Sequence, residues 1–469
     1  MNFAEKFLKP RYIALSAALA VFAVLLFAPA VLHDGDTYTH IAAGRWMLDN
    51  RAVLRIDPFS YTFAGHPWLT HEWLAEVAMA LTYIVAGWNG LVLLFAIVAG
   101  FAAWSLARHL SRWLGGLALT VTVILSICCM TGTFLVRPHL LAWPLLEIWA
   151  AELIIAAEAV RRPPLWLLPL MVVWANIHAS FVFGLALLIP MALEDAVEHG
   201  SWSKAARHWG LFAVLAVGAA LLTPHGLDGL LFPFKLMAIP QLYLITEWRP
   251  LDVRLLEPPV LVMGFALFAC LSRGVKIKPV RLLVLLGLVY LGLAQVRDLL
   301  LLAVVGPLVL ARPLSETLGE GTPAGWQTRR RPILVFAALF AVLAGVRLYV
   351  PVVRSDGPAT PATALAHVPA ALIRQPVLND YAFGGFLIFN DLRPFIDGRA
   401  ELYGGPFIAR YVDMMHGDPK AVQATLAKYR IRWAILSPAN GAIAVIDGLP
   451  GWHRVYADRW AVVQVKDAR

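Results

Sequence analysis

Residues 33–50 read HDGDTYTHIAAGRWMLDN, and residues 55–77 read RIDPFSYTFAGHPWLTHEWLAEV. As far as His71 this stretch is too charged to enter lipid. The run before it, residues 12–32, is apolar and long enough to cross ~30 Å of hydrocarbon as one helix. Lys6, Lys9 and Arg11 precede that run, which puts the N-terminus on the cytoplasmic side. No small-x-small cleavage site follows a short apolar core there, so the segment is expected to remain as an anchor. Residues 33–88 then form a long first loop on the outer face. Inside it, residues 72–86 are apolar but short and end at the turn Gly87-Trp88-Asn89-Gly90. A helix resting in the outer leaflet is expected there, not a crossing.

The composition agrees. Hydrophobic types make up 60% of the 469 residues and charged types 15%, against roughly 45–50% and about 25% in soluble globules. That excludes an ordinary soluble enzyme and a disordered chain. The three cysteines, Cys128, Cys129 and Cys270, lie in apolar runs and form no Cys-x-x-Cys pair, which leaves no disulfide scaffold or thiol metal site. The formal charge of +9 would suit a nucleic-acid partner. The cations instead fall in short runs between apolar spans, where they orient helices, so no nucleic acid is expected.

Further crossings are expected near residues 90–108, 113–134, 138–160, 164–178, 180–198, 207–223, 258–273, 281–296, 299–313 and 332–352. With these spans Arg108, Arg112, Arg161, Arg162, Lys204, Arg207, the cations from Arg273 to Arg281, Arg312 and the run Arg329-Arg330-Arg331 all fall on the cytoplasmic side. Fewer fall outside, and the bias supports about eleven crossings with the C-terminus outside. The fold class expected is thus a polytopic α-helical membrane protein, residues 1–352, followed by a small extracytoplasmic α/β domain, residues 353–469. In that tail, strands are expected at 376–378, 386–389, 394–396, 433–436, 454–456 and 461–465, and a helix at 419–429 capped by Asp418. The protein is expected to be a multi-pass resident of the plasma (inner) membrane.

Chemistry concentrates in the first loop. Asp34 and Asp36 flank a glycine where the chain leaves the first span, and His40 lies one helical turn beyond Asp36. His71-Glu72 opens the outer-leaflet helix, and Asp57-Pro58 sits between. Such groups at a membrane boundary can act as a general base, bind a divalent cation or cap helices. Polar groups at the outer ends of the spans are candidates for phosphate contact: Arg137 and His139, Asn176 and His178, and Arg297. Arg297 is equally suited to an ion pair with Asp298. The tail adds Asp380, Tyr381, Asp397 and Arg399.

The ordered set Asp34-Gly-Asp36, His40, Gly44-Arg-Trp-Met-Leu48, Asp57-Pro-Phe-Ser-Tyr-Thr62, Pro67-Trp68 and His71-Glu-Trp-Leu74 resembles a bacterial branch of the GT-C superfamily of membrane glycosyltransferases. Trp174-Ala-Asn-Ile-His178, Thr223-Pro-His-Gly226, Glu247-Trp248, Asn379-Asp380-Tyr381 and Asp397-Gly398-Arg399 extend the resemblance over essentially the whole chain. It implies transfer of a sugar from a polyprenyl-phosphate or pyrophosphate carrier to a glycan, lipid or protein acceptor. The superfamily's loop aspartate, the base, maps to Asp36 or Asp34, with Asp36 preferred and Asp34 assisting. His40, His71, Glu72 and Asp57 would position the acceptor. Arg137, His139, Asn176, His178 and Arg297 would surround the phosphate. Residues 378–389 are similar to the acceptor signature of oligosaccharyltransferase catalytic subunits but lack its paired tryptophans. The two carboxylates and two histidines leave Mg²⁺ or Mn²⁺ open as a cofactor. The rival reading is non-enzymatic: binding or transport of lipid-linked glycans, or envelope polysaccharide assembly. What separates the two is whether Asp34 and Asp36 open into a cavity lined by Arg137 or Arg297, or into bulk water.

Overall fold

The computed structural model describes residues 8–245, 248–319 and 330–467. Lys6, Glu247 and Arg329 lie outside the described residues, as do the side chains of Arg330 and Arg331. Helix α1 (Pro10–Phe27) leads by a short 3₁₀ turn into α2 (Asp36–Asn50), the helix that carries the first-loop motif. Then come α3 (Trp73–Leu110), α4 (Gly116–Cys129), α5 (Pro138–Glu158), α6 (Leu167–Ile177) and α7 (Phe181–His199). The apolar part closes with α8 (Leu211–Ala220), α9 (Gly226–Met237), α10 (Pro258–Ser272), α11 (Pro279–Ala294), α12 (Leu299–Leu318) and α13 (Arg330–Tyr349). Proline opens α1, α5, α10 and α11, where a missing N–H costs no intrahelical bond.

Each expected span holds a helix. By length and composition, five segments are long and apolar enough to cross a membrane: Pro10–Phe27, Trp73–Leu110, Pro138–Glu158, Val296–Leu318 and Pro332–Tyr349. Others, such as α4, α6, α10 and α11, are shorter than a full crossing, so helix length does not fix the count of eleven. Within α3 the backbone breaks at Gly87, with φ 57° and ψ −150°, a conformation open to glycine. Residues 73–86 therefore form a separate helical piece, as the Gly87-Trp88 turn suggests. The bundle interior is packed with Trp143, Trp149, Trp174, Phe22 and Phe95, all fully buried. Its outer surface shows Ile189, Leu211, Phe268 and Leu283, the apolar belt of a multi-pass membrane protein.

The tail holds a four-stranded sheet: β1 (Val377–Asn379), β2 (Trp433–Leu436), β3 (Trp452–Ala457) and β4 (Val462–Lys466), in the order β1-β2-β4-β3. β1 and β2 are parallel, with Leu378 opposite Ala434, and the other pairs are antiparallel. The crossover between β1 and β2 carries α14 (Gly384–Phe389), α15 (Gly405–Met415) and α16 (Pro419–Lys428). Asp418 caps α16 as expected, accepting from the backbone N–H of Lys420 at 2.8 Å.

Two expected strands are corrected. Residues 386–389 are helical, because Gly384 and Gly385 let this turn press against neighbouring backbone: a Cβ on Gly385 would stand 2.1 Å from the Gly35 carbonyl oxygen. Residues 394–396 pair with the side chain of Asn379 instead of a strand. Phe395 N–H donates to its Oδ1 at 2.7 Å, and its Nδ2 donates to the Ile396 carbonyl at 2.8 Å. The first loop and the tail are also tied together. Tyr61 Oη donates to the Val377 carbonyl at 2.9 Å, Thr62 Oγ1 to the Phe395 carbonyl at 2.7 Å, and Tyr38 packs in the core under the sheet.

Candidate active site

The site forms where α2, the starts of α3 and α5, and the tail meet. Asp34 Oδ1 accepts from the backbone N–H of Asp36 at 2.7 Å, closing the first turn of α2. Arg137, extended just before Pro138, places its guanidinium between both carboxylates. Nη1 lies 3.2 Å from Asp34 Oδ2, and Nη2 lies 2.7 Å from Asp36 Oδ2. Without that cation two neighbouring carboxylates would repel each other at close range. Gly398 of the tail covers Asp36: a Cβ there would fall 1.7 Å from Asp36 Oδ1. A side chain on residue 398 would thus displace the carboxylate.

One turn along α2, His40 Nδ1 lies 3.2 Å from Glu76 Oε1 and Nε2 lies 3.8 Å from Glu72 Oε2. Nε2 of His71 and Nε2 of His178 each stand 3.5 Å from Glu72 Oε1. Burial disfavours a charge on His40, but the hydrogen bond to Glu76 and the charges of Glu72, Glu76 and Asp36 outweigh it, and the imidazole is raised to about 8. His71 is shifted upward too: burial opposes its charge, and Glu72 favours it more. Burial would raise Glu72, yet its imidazole neighbours, His71 first, hold it well below the usual carboxylate range. His178 Nδ1 accepts from the backbone N–H of Ser180 at 3.1 Å, so its neutral ring carries the proton on Nε2, toward Glu72.

Two cavities adjoin this cluster. One, about 160 Å³, is mostly apolar, walled by Leu135, Leu146, Val182, Phe183, Leu300 and Leu301 from the helix bundle. The second, about 80 Å³, is polar and lined by Asp36, His40, His71, Glu72, Glu76 and Glu401. Arg137, Arg297, Glu72, Trp248 and Leu236 line both. The Arg297 guanidinium sits 4.0 Å over the Trp248 ring, a cation–π contact that fixes it at the junction. His139 lines the apolar side and donates from Nε2 to the Thr133 carbonyl at 2.6 Å.

The structure thus brings together Asp34, Asp36, His40, His71, Glu72, Arg137, His139, His178 and Arg297. Other candidates lie elsewhere. Asn176 accepts from Trp73 Nε1 at 2.6 Å and donates to the carbonyls of Val172 and Leu222, which ties off the end of α6. Asp57, 1% exposed, accepts from Ser60 and pairs with Arg399 Nη1 at 2.7 Å. Arg399 borders the polar cavity, but its other nitrogens are held by Asp397. Asp380 accepts from Ser437 Oγ and the Ala382 N–H, and the Tyr381 N–H donates to Tyr411 Oη. Apart from Asn176, these residues clamp the tail to the first loop or to itself. Among the described residues no group of three or more His, Cys, Asp or Glu side chains is set to hold a metal ion.

Sequence reasoning missed Glu76, Thr39, Glu401 and Gly398 as parts of the polar cavity. Glu76 carried a signal: it stands four residues after Glu72 on an otherwise apolar helix, hence on the same face. Gly398 and Glu401 face the site only because the tail folds back onto α2, a long-range contact with no local pattern.

No protein-family model matches the sequence, and no curated protein matches it either. Solved structures do match. The oligosaccharyltransferase of Archaeoglobus fulgidus, in the apo form, aligns with TM-score 0.54 at 10% identity, over 90% of this chain and 69% of that one. ArnT from Cupriavidus metallidurans, bound to undecaprenyl phosphate, aligns with TM-score 0.52 at 14% identity, over 97% of each chain. At such identities the likeness is one of architecture: this chain has the fold of those two structures.

Proposed function

We propose that the chain is a membrane glycosyltransferase that takes a sugar from a polyprenyl phosphate or pyrophosphate carrier. It passes the sugar to a glycan, lipid or protein acceptor at the outer face of the plasma membrane, with the N-terminus cytoplasmic and the tail outside. The observation that carries this reading is the order of environments. An apolar cavity among the helices meets a carboxylate-lined cavity at Arg137 and Arg297. A lipid-linked sugar has the same order of parts: apolar chain, phosphate, sugar. The C. metallidurans structure, of similar fold, holds undecaprenyl phosphate, which has the first two of these parts, the apolar chain and the phosphate.

The step is an in-line displacement. The acceptor hydroxyl gives its proton to Asp36 as its oxygen bonds to the anomeric carbon. The bond from that carbon to the phosphate oxygen breaks, the electron pair leaves on the phosphate, and the configuration inverts. Arg137 and Arg297 offset the charge that develops on the leaving oxygen. Asp34 keeps the guanidinium oriented. Asp36 faces a cavity lined by both arginines, which supports transfer over scaffolding.

The test is release of polyprenyl phosphate from a radiolabelled polyprenyl-phosphate sugar by the full chain in lipid nanodiscs with envelope acceptors added. Asp36→Asn should lower turnover roughly 10²–10⁴-fold without changing the melting temperature. Turnover retained in Asp36→Asn would overturn the assignment of the base. Carrier binding with no sugar release by the natural chain would favour the non-enzymatic reading.

A further inference from the structure

The turn that carries Asp34 and Asp36 is held on two sides. On the bundle side, Thr37 Oγ1 donates to the Val136 carbonyl at 2.9 Å, and the Val136 N–H donates to the Val31 carbonyl at 2.9 Å. These bonds join the turn to the segment that carries Arg137, so the carboxylates and their guanidinium share one frame. Bonds inside that frame do not by themselves set its position under the tail, whose Gly398 covers Asp36.

On the other side stands Arg354, in the linker between α13 and the tail. Its guanidinium spans the turn. Nη1 donates to the carbonyl of Leu32, two residues before Asp34, at 2.8 Å. Nε and Nη2 donate to the hydroxyl of Tyr38, two residues after Asp36, at 3.2 and 2.6 Å. Nη2 also reaches Thr360 Oγ1 at 3.0 Å, and Tyr38 Oη shares a hydrogen bond with Thr360 Oγ1 at 2.8 Å. Tyr38 is 1% exposed and Thr360 is 4% exposed, so these bonds lie away from water and are strengthened by their surroundings. The guanidinium carbon lies 4.9 Å from the centre of the Trp88 ring, a cation–π contact that limits its swing. The linker itself has a fixed base. The Val352 N–H donates to Asn89 Oδ1 at 2.7 Å, and Gly357 and Thr360 exchange backbone bonds at 3.1 Å.

All the acceptors of Arg354 are neutral, so the fork is not there to cancel a neighbouring charge. What a rigid planar fork fixes is the distance between residues 32 and 38, and with it the course of the turn between them. A shift of about 1 Å in a reacting group can cost roughly 10²-fold in rate. We propose that Arg354 is a positioning residue for sugar transfer: by bridging Leu32 and Tyr38 it sets where the Asp36 carboxylate stands. Arg354 lines neither cavity, so it acts through Asp36 and not on the carrier. The inference rests on the transfer function proposed above.

The experiment measures kcat and KM for a radiolabelled polyprenyl-phosphate sugar with the full chain in nanodiscs and envelope acceptors. Arg354→Gln should lower kcat roughly 10- to 100-fold and leave KM for the carrier within about twofold. Arg354→Lys keeps the charge without the fork and should fall within about threefold of Arg354→Gln. Tyr38→Phe keeps the buried ring, removes one end of the bridge and should lower kcat roughly three- to tenfold. Added to Asp36→Asn, Arg354→Gln should cost less than about twofold more, because the group it places is already gone. The role is overturned if kcat holds in both Arg354→Gln and Tyr38→Phe, if KM rises as much as kcat falls, or if Arg354→Lys restores the natural kcat. It is overturned equally if the losses of Arg354→Gln and Asp36→Asn multiply, which would mean that Arg354 only supports the fold. Should Arg354→Gln lose its melting transition, Tyr38→Phe decides by the same split and the same pairing with Asp36→Asn. Failure of the natural chain to release any sugar is a separate result: it would remove the transfer function itself, and this role with it.

Discussion

At one end of α5, Arg137 forks Asp34 and Asp36; at the other, Glu158 meets Arg281 at 2.8 Å, and Arg281 also contacts both oxygens of Glu194 at 3.0 Å. The two clusters are built from the same parts and sit about 30 Å apart along the helix. Their surroundings differ. Arg281 is 2% exposed, and it lines neither of the two cavities. His109 and Glu147, paired at 2.8 Å, line neither of them as well. Around Arg137 the charges border the two cavities. Buried charge at the end of a helix bundle thus has two uses. Closed and paired, it locks helices together. Beside a cavity, it can receive a ligand.

The largest effect should come from breaking the closed cluster. Arg281→Gln strands Glu158 and Glu194, and stability should fall by about 3–5 kcal/mol, read as a lower melting temperature in detergent. Arg137→Gln should instead cost about 10²–10³-fold in sugar transfer, as loss of one charge-stabilising group does, with a much smaller change in melting temperature. If the two substitutions gave the same profile, the contrast between the ends would be false.

Gly398→Ala comes next. The added methyl would occupy the position of Asp36 Oδ1. A stability loss of about 1–3 kcal/mol is expected from overpacking, with transfer reduced because the base is displaced. Unchanged transfer in this variant would show that the tail does not hold Asp36 in place.

The smallest effect is one of pH. His40 is raised from 6.5 to about 8, so its protonated form is favoured in the folded chain. That stabilisation is complete below about pH 6.5 and is lost as pH rises through about 8; it amounts to about 2 kcal/mol. The melting temperature of the natural chain should fall over that window relative to His40→Asn. Parallel curves for the two proteins would mean that Glu72 and Glu76 do not hold His40 charged.

Much of the helical part was legible in the sequence because apolar length, proline starts and the Gly87 turn are local signals. The nearness of Asp36 and His40 was legible for the same reason, since helical spacing places them on one face, whereas Glu72 reaches His40 from another helix, a contact no spacing shows. The tail was harder. Phe386 to Phe389 looks like a strand by residue type, yet the preceding Gly384-Gly385 pair allows a helical turn to press against Gly35 and Asp397. Asp57, Asp397 and Arg399 have the residue types of a catalytic group. The pair of Asp397 and Arg399, two residues apart, is a local turn with an ion pair, but the bond from Arg399 Nη1 to Asp57 Oδ1 at 2.7 Å joins positions far apart in the chain and could not be read from spacing.

The most direct test of the whole scheme is a structure of the full chain with undecaprenyl phosphate bound. The phosphate should lie within hydrogen-bonding reach of Arg137 and Arg297, with Asp36 beside it and the prenyl chain running past Leu146 and Leu300. A phosphate bound instead at the Arg281 end, or a carrier lying outside the bundle with Asp36 turned to bulk water, would contradict it.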